Sequence, residues 1–187
     1  MASGPSAAVL VSVNLYFRLL LLWIRHRRAP KVSLWGEVRT AFRVVPTDLD
    51  PLMHMNNARY LALLDLGRTD LMLQSGFWRQ VKERGWYPVV TAQTISYKRS
   101  LTLWQRFTLV TRVLGFDDRH VYMQQEFHRG GRVIARAVVQ ARFLRREGGS
   151  VAPDELLELA GGAPDGLELP HWVDGWAEAT RISHSKD

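Results

Sequence analysis

The sequence has no cysteine in 187 residues. That excludes disulfides, thiolate nucleophiles and cysteine-based zinc sites, and it fits a reducing, cytoplasmic compartment. The six histidines are scattered without a metal-ligand spacing, so no metal site is expected. No Gly-rich nucleotide loop and no repeated strand–helix alternation is present, which removes a Rossmann-type reading; no motif calls for a cofactor. The net charge of +7 attracts anions, but no zinc-finger or RNA-binding motif accompanies it, so nucleic acid is not an expected partner. Internal repeats and low-complexity segments are absent as well.

A long, uninterrupted hydrophobic run is also missing. The strongest candidate, residues 7–24 (AAVLVSVNLYFRLLLLWI), is broken by Ser12, Asn14 and Arg18 and is followed by Arg25, His26, Arg27 and Arg28. Its length is borderline for a membrane span, and a signal anchor, an interfacial helix and a helix packed on protein are all open readings. The favoured one is a helix, ended by Pro30, that packs on protein or lies at a membrane surface. Residues 7–28 would then make peripheral membrane contact. No small-residue cleavage site follows, so a removed signal peptide is not expected.

Three segments are expected: an apolar and basic helix over 1–30, a domain over 31–147, and an extension with short helices over 148–187. From Gly36 the pattern has period two, with Val38, Thr40, Phe42 and Val44 on one face of a first strand. Ala58 to Gln74 reads as a helix, with Gly76 placed to end it. It is so rich in leucine that other structure must wrap it. Residues 77–87 read as a helical turn and loop, and Pro88 begins the first of four strands. Val89, Thr91, Gln93, Ile95 and Tyr97 alternate in that strand, and the next ends near Gly115 before a turn at Asp117–Asp118. Gly130–Gly131 marks a hairpin, and Ala135, Ala137 and Ala141 give the last strand a face that a helix can approach closely. Short helices are expected over Pro153–Ala160 and Leu169–Thr180, with frayed last residues. The sum is an α+β fold, a curved antiparallel sheet around one long helix.

The densest chemistry lies in residues 46–68, PTDLDPLMHMNNARYLALLDLGR. Asp48 and Asp50 follow the first strand. His54, Asn56 and Asn57 then precede the helix, and Asn is a preferred N-cap. A helix N-terminus offers free N–H donors and partial positive charge, suited to an oxyanion. A carboxylate on the preceding loop could attack a carbonyl there or activate a water. The alternative is an Asp-rich turn before an ordinary capped helix.

This stretch resembles the hotdog-fold thioesterases of the 4-hydroxybenzoyl-CoA thioesterase type. The family pattern is Asp-x-Asp-x-x-Gly-His-Val/Met-Asn-Asn-x-x-Tyr, then an acidic residue and an Arg along the helix. Asp48, Asp50, His54, Met55, Asn56, Asn57, Tyr60, Asp65 and Arg68 match it. The family's Gly before His is Met53 here, which forbids easy positive φ. The resemblance implies hydrolysis of an acyl-CoA or acyl-carrier-protein thioester, without metal or cofactor. Asp50 would be nucleophile or general base, with His54 and Asp65 as further catalytic candidates. Asn56, Asn57 and Tyr60 would meet the substrate, with Lys98 and Arg99 on the CoA phosphates. It also implies a homodimer or higher assembly with the site between subunits. A catalytically inactive acyl-CoA-binding or membrane-associated scaffold is the alternative that Met53 raises.

Overall fold

The period-two stretch after Gly36 becomes β1, Val38–Arg43, in which Val38 and Thr40 are buried while Arg39 and Ala41 face out. The computed structural model describes residues 7–27 and 29–181, with backbone alone for 7–14; Arg28 and the end expected to fray, 182–187, fall outside them. A 3-10 turn, Pro46–Asp48, and a loop lead from β1 to the long helix; the N-terminal helix being α1 (Ala7–His26), this one is α2 (Asn57–Gln74). Asn56 starts α2, its Oδ1 accepting the Ala58 N–H at 2.8 Å. Gly76 ends it at φ 74°, donating its N–H to the Leu73 carbonyl, a left-handed stop that glycine makes without strain.

After α3 (Phe77–Glu83) come β2 (Trp86–Tyr97), β3 (Arg106–Phe116), β4 (Val121–Arg129) and β5 (Arg132–Arg145). All pairings are antiparallel, in the order β1-β3-β4-β5-β2. The sheet curves around α2, which makes this a hotdog fold of the α+β class. Two local differences from the sequence pattern have backbone causes. β2 begins at Trp86, and a bulge between Val90 and Ala92 breaks the alternation expected from Val89 to Tyr97. A register shift between Val113 and Gly115 lets β3 continue to Phe116.

The inner face packs Leu109, Phe127, Ala135, Ala137 and Val139 against Tyr60, Leu63 and Leu64 of α2. Gly67 marks the closest approach. A Cβ there would lie 2.6 Å from Leu109 Cδ2 and 2.8 Å from both Gln125 Nε2 and Thr111 Oγ1. Beyond the sheet, α4 (Pro153–Leu159) packs Leu156 with Met72, Phe77 and Phe143. The helix α5 (His171–Ala179) covers the outer face, setting Val173 and Ala177 against Leu114, Tyr122 and Val138.

The apolar N-terminal run is indeed helical, and it packs on protein. Leu22 is buried in the main core, and Leu15 and Leu19 rest against it. Tyr16, Phe17, Leu20, Leu21, Trp23 and Ile24 remain exposed on the other side. Among the described residues no helix is long and apolar enough to cross a membrane.

Candidate active site

The two carboxylates of the loop after β1 have different fates. Asp48 is fully buried. Its Oδ2 lies 2.6 Å from Arg18 Nη2 of α1 and accepts the Val45 N–H at 3.0 Å, while Oδ1 accepts Arg59 Nε of α2 at 3.2 Å. The Asp48 carbonyl accepts the Asn56 N–H at 2.9 Å. Arg18 also donates to the Arg43 carbonyl at 3.1 Å and lies over the Phe42 ring. Asp48 therefore ties the N-terminal helix, the loop and the start of α2 together. Arg18 and Arg59, which hold Asp48, are residues that motif reading did not assign to the site. The one available signal was an arginine in the middle of an apolar run.

Asp50 is only partly buried and organises the turn that follows it. Its Oδ1 accepts the N–H groups of Leu52 at 2.9 Å and His54 at 3.2 Å. Its backbone N–H donates to the His54 carbonyl, and its carbonyl accepts from Met53. Among the described residues Oδ2 makes no hydrogen bond, so half of the carboxylate is held and half is available. The turn places Met53 at φ 62°. The expectation that methionine would avoid positive φ is thus corrected: four hydrogen bonds within Asp50–His54 hold the bend despite the missing glycine.

Most amides of this loop are engaged. Those of Leu52, Met53 and His54 go to Asp50, Met55 donates to Leu101, and Asn56 to Asp48. Ala58 and Arg59 donate to Asn56. Asn57 is the first residue of α2, and a first-turn N–H has no partner within its own helix. Among the described residues its amide makes no hydrogen bond, and it stands at the positive end of the helix.

The remaining sequence candidates are dispersed. The exposed His54 bridges Thr102 through its backbone, and among the described residues its ring makes no hydrogen bond. Tyr60, expected on the substrate, is 2% exposed; its hydroxyl accepts the Leu101 N–H at 3.3 Å and its ring packs edge-on against Tyr97 and Phe127. Burial raises its pKa. Asp65 is exposed and pairs with the buried Arg68, whose other arm donates to Gln125 Oε1 at 2.8 Å. Burial lowers the Arg68 pKa, and Asp65 opposes this only in part. Both side chains line a cavity of about 180 Å³ at the far half of α2. Asp65 stands eight residues beyond Asn57, about 12 Å along the axis at 1.5 Å per residue. Within one chain it cannot reach a carbonyl held by the Asn57 amide. Lys98 and Arg99 are exposed on a groove that Arg132 and Arg136 also line. Among the described residues no three His, Asp or Glu side chains cluster to hold a metal ion.

A curved sheet wrapped on one helix, with an Asp loop at the helix start, defines a hotdog protein of thioesterase type. The chain belongs to the thioesterase-like superfamily, whose model matches residues 44–176. It is similar to Protein THEM6 of Xenopus laevis, 38% identical over 129 residues that cover 67% of this chain and 62% of that one, so the match spans less than two thirds of that relative. Protein THEM6 of Danio rerio is 31% identical over 168 residues, covering 86% and 82%. Among solved structures, the YbaW probable thioesterase of Escherichia coli aligns with TM-score 0.61 at 25% identity, over 65% of this chain and 94% of that one. The 4-hydroxybenzoyl-CoA thioesterase of a Pseudomonas species has TM-score 0.58 at 19% identity, over 66% and 98%, and shows the shared fold.

Proposed function

We propose that the chain hydrolyses an acyl-CoA thioester, with Asp50 as nucleophile or general base and the Asn57 N–H on the carbonyl oxygen. The observation that supports this is that, among the described residues, Asp50 Oδ2 and the Asn57 N–H of the same loop and helix start both make no hydrogen bond. In the nucleophilic form Asp50 attacks the carbonyl, CoA leaves as its thiolate, and water cleaves the acyl–aspartyl anhydride. In the general-base form Asp50 takes the proton of a water that attacks directly. The helix N-terminus favours the oxyanion in both. In this reading the exposed His54 orients the water, and the exposed Lys98 and Arg99 meet the CoA phosphates.

The test is release of free thiol over a panel of short, long and aromatic acyl-CoAs, with acyl-carrier-protein esters as controls. Asp50→Asn keeps the shape and removes the base, so kcat should fall about 10²–10⁴-fold. Full activity in that variant would remove Asp50 from the mechanism. Absence of turnover on every ester, with tight acyl-CoA binding, would leave a binding scaffold instead.

The assembly we infer is a homodimer closed along β2. This is a twelve-residue edge strand exposing Tyr87, Val90 and Tyr97, and an open edge of that length must be paired or covered. Pairing would also let Asp50 of one chain approach α2 of the other. Light scattering tests it; a stable, active monomer at micromolar concentration contradicts it. The exposed apolar side of α1, continuous with Arg25 and Arg27, further favours peripheral contact with an anionic membrane. Sedimentation with anionic vesicles at two ionic strengths is the check, and equal recovery with neutral vesicles argues against it.

A further inference from the structure

The cavity at the far half of α2 has a composition that the loop chemistry does not use. Its walls are apolar: Met72 of α2, Phe77 of α3, Val113 and Met123 of the sheet, Phe143 of β5, and Leu156 of α4. Its polar members, Asp65, Arg68 and Thr69, are neighbours on α2. A cavity like this excludes water from its depth and offers charge on one side only.

We propose that this cavity is the acyl-binding site. It takes one unsubstituted apolar group the size of a single ring or a medium-length chain, with the polar head left beside Asp65 and Arg68. The size limit follows from volume. A cavity of about 150 Å³ lined by Leu, Ile and Phe accepts a benzene ring. The present volume of about 180 Å³ is slightly larger. That corresponds to a phenyl ring or roughly six to eight methylene-sized carbons. The wall that sets the limit is α4 with the residue after it: Leu156, Leu157 and Ala160 line the cavity, Leu156 packing beside Met72 and Phe77. Identifying the head group as a thioester rests on the function and the dimer proposed above, in which Asp50 of one chain approaches α2 of the other, because within one chain Asp65 stands about 12 Å from Asn57; the apolar limit does not.

The test separates the two. Binding is measured on the full chain with 2-oxoalkyl-CoA thioethers, which keep the carbonyl but cannot be hydrolysed. Fluorescence of Trp35 and Trp78, which line the cavity, gives the signal. Each added methylene should tighten binding about fourfold until the cavity is full, near eight carbons, and not beyond. Leu156→Ala should move the plateau to longer chains, and Ala160→Phe should move it to shorter ones and weaken the phenyl analogue about tenfold or more. Affinity that keeps climbing to sixteen carbons, or a plateau unmoved in both variants, overturns the proposal. Thiol release from true thioesters is followed in parallel. A plateau that follows the variants without any hydrolysis refutes the catalytic reading and leaves the cavity assignment standing.

Discussion

Replacing Asp48 with Asn should destabilise the protein more than replacing either arginine that faces it. The Asp48 side chain is 1% exposed, and the side chains of Arg18 and Arg59 are 9% and 7% exposed. Asp48→Asn keeps the volume but leaves two buried guanidinium groups sharing a site without their carboxylate. Breaking a buried ion pair from one side costs about 3–5 kcal/mol, because the charge left behind has lost its water. At about 2–4 °C per kcal/mol for a chain of this size, Tm should fall by roughly 6–20 °C. Arg18→Met is milder. It removes the hydrogen bonds to Asp48 and the Arg43 carbonyl, but keeps much of the aliphatic bulk and leaves Asp48 paired with Arg59. The loss should be about 2 kcal/mol. Urea unfolding at neutral pH measures both, and the double variant should be less destabilised than the sum by about 1 kcal/mol or more. The reasoning fails if Arg18→Met costs more than Asp48→Asn, or if the two effects simply add.

Three further perturbations follow from particular residues. Met53→Gly should be neutral to stabilising by about 0.5 kcal/mol, since relief of a left-handed non-glycine residue (about 1–2) exceeds the entropy cost of glycine (about 0.5–1); a clear loss in urea unfolding would mean that the Met53 side chain is needed. Gly67→Ala should cost about 1–3 kcal/mol by pressing a methyl into Leu109, Gln125 and Thr111, again measured by urea midpoint, and an unchanged midpoint would show that α2 can lift off the sheet. Asp117 gives a pH test: burial alone would raise its pKa, but the Tyr122 hydroxyl at 2.6 Å and the Arg119 and His120 N–H groups outweigh this and hold it below the usual range. Its stabilisation is therefore present above the unfolded carboxylate pKa of about 4 and lost as pH falls through the lower folded value. Asp117→Asn should destabilise at pH 7 and converge with wild type in acid, and a gap that stays constant with pH would refute the assignment.

What the sequence disclosed about the fold was local. The Asn56 cap, the Gly76 stop, the Gly130–Gly131 hairpin and the alternation of β1 each depend on a few neighbouring residues, so the pattern carries them. β2 was harder because its bulge changes which side chains face inward, and a period-two reading assumes an unbroken pleat. α4 starts at the expected Pro153 and ends one residue before Ala160, and α5 lies one or two residues inside the expected Leu169–Thr180, the usual fraying of short helices.

The candidate site shows the same division. The motif placed Asp50 before a helix start, but nothing in its spacing separates Asp50 from Asp48, two residues earlier. The difference is made at long range. Arg18 lies thirty residues upstream, in a run whose composition suggested lipid as readily as protein, and it neutralises one carboxylate and not the other. The cavity is equally non-local, since α2, α3, the sheet and α4 each contribute a wall. A residue's type limits the chemistry it can do. Which of two aspartates faces an arginine, and which keeps an oxygen available, is decided by the packing of α1 and α2 around the loop. That makes α1 part of the frame of the candidate active site, and the exposed side of α1 a place where an outside surface can act on that frame.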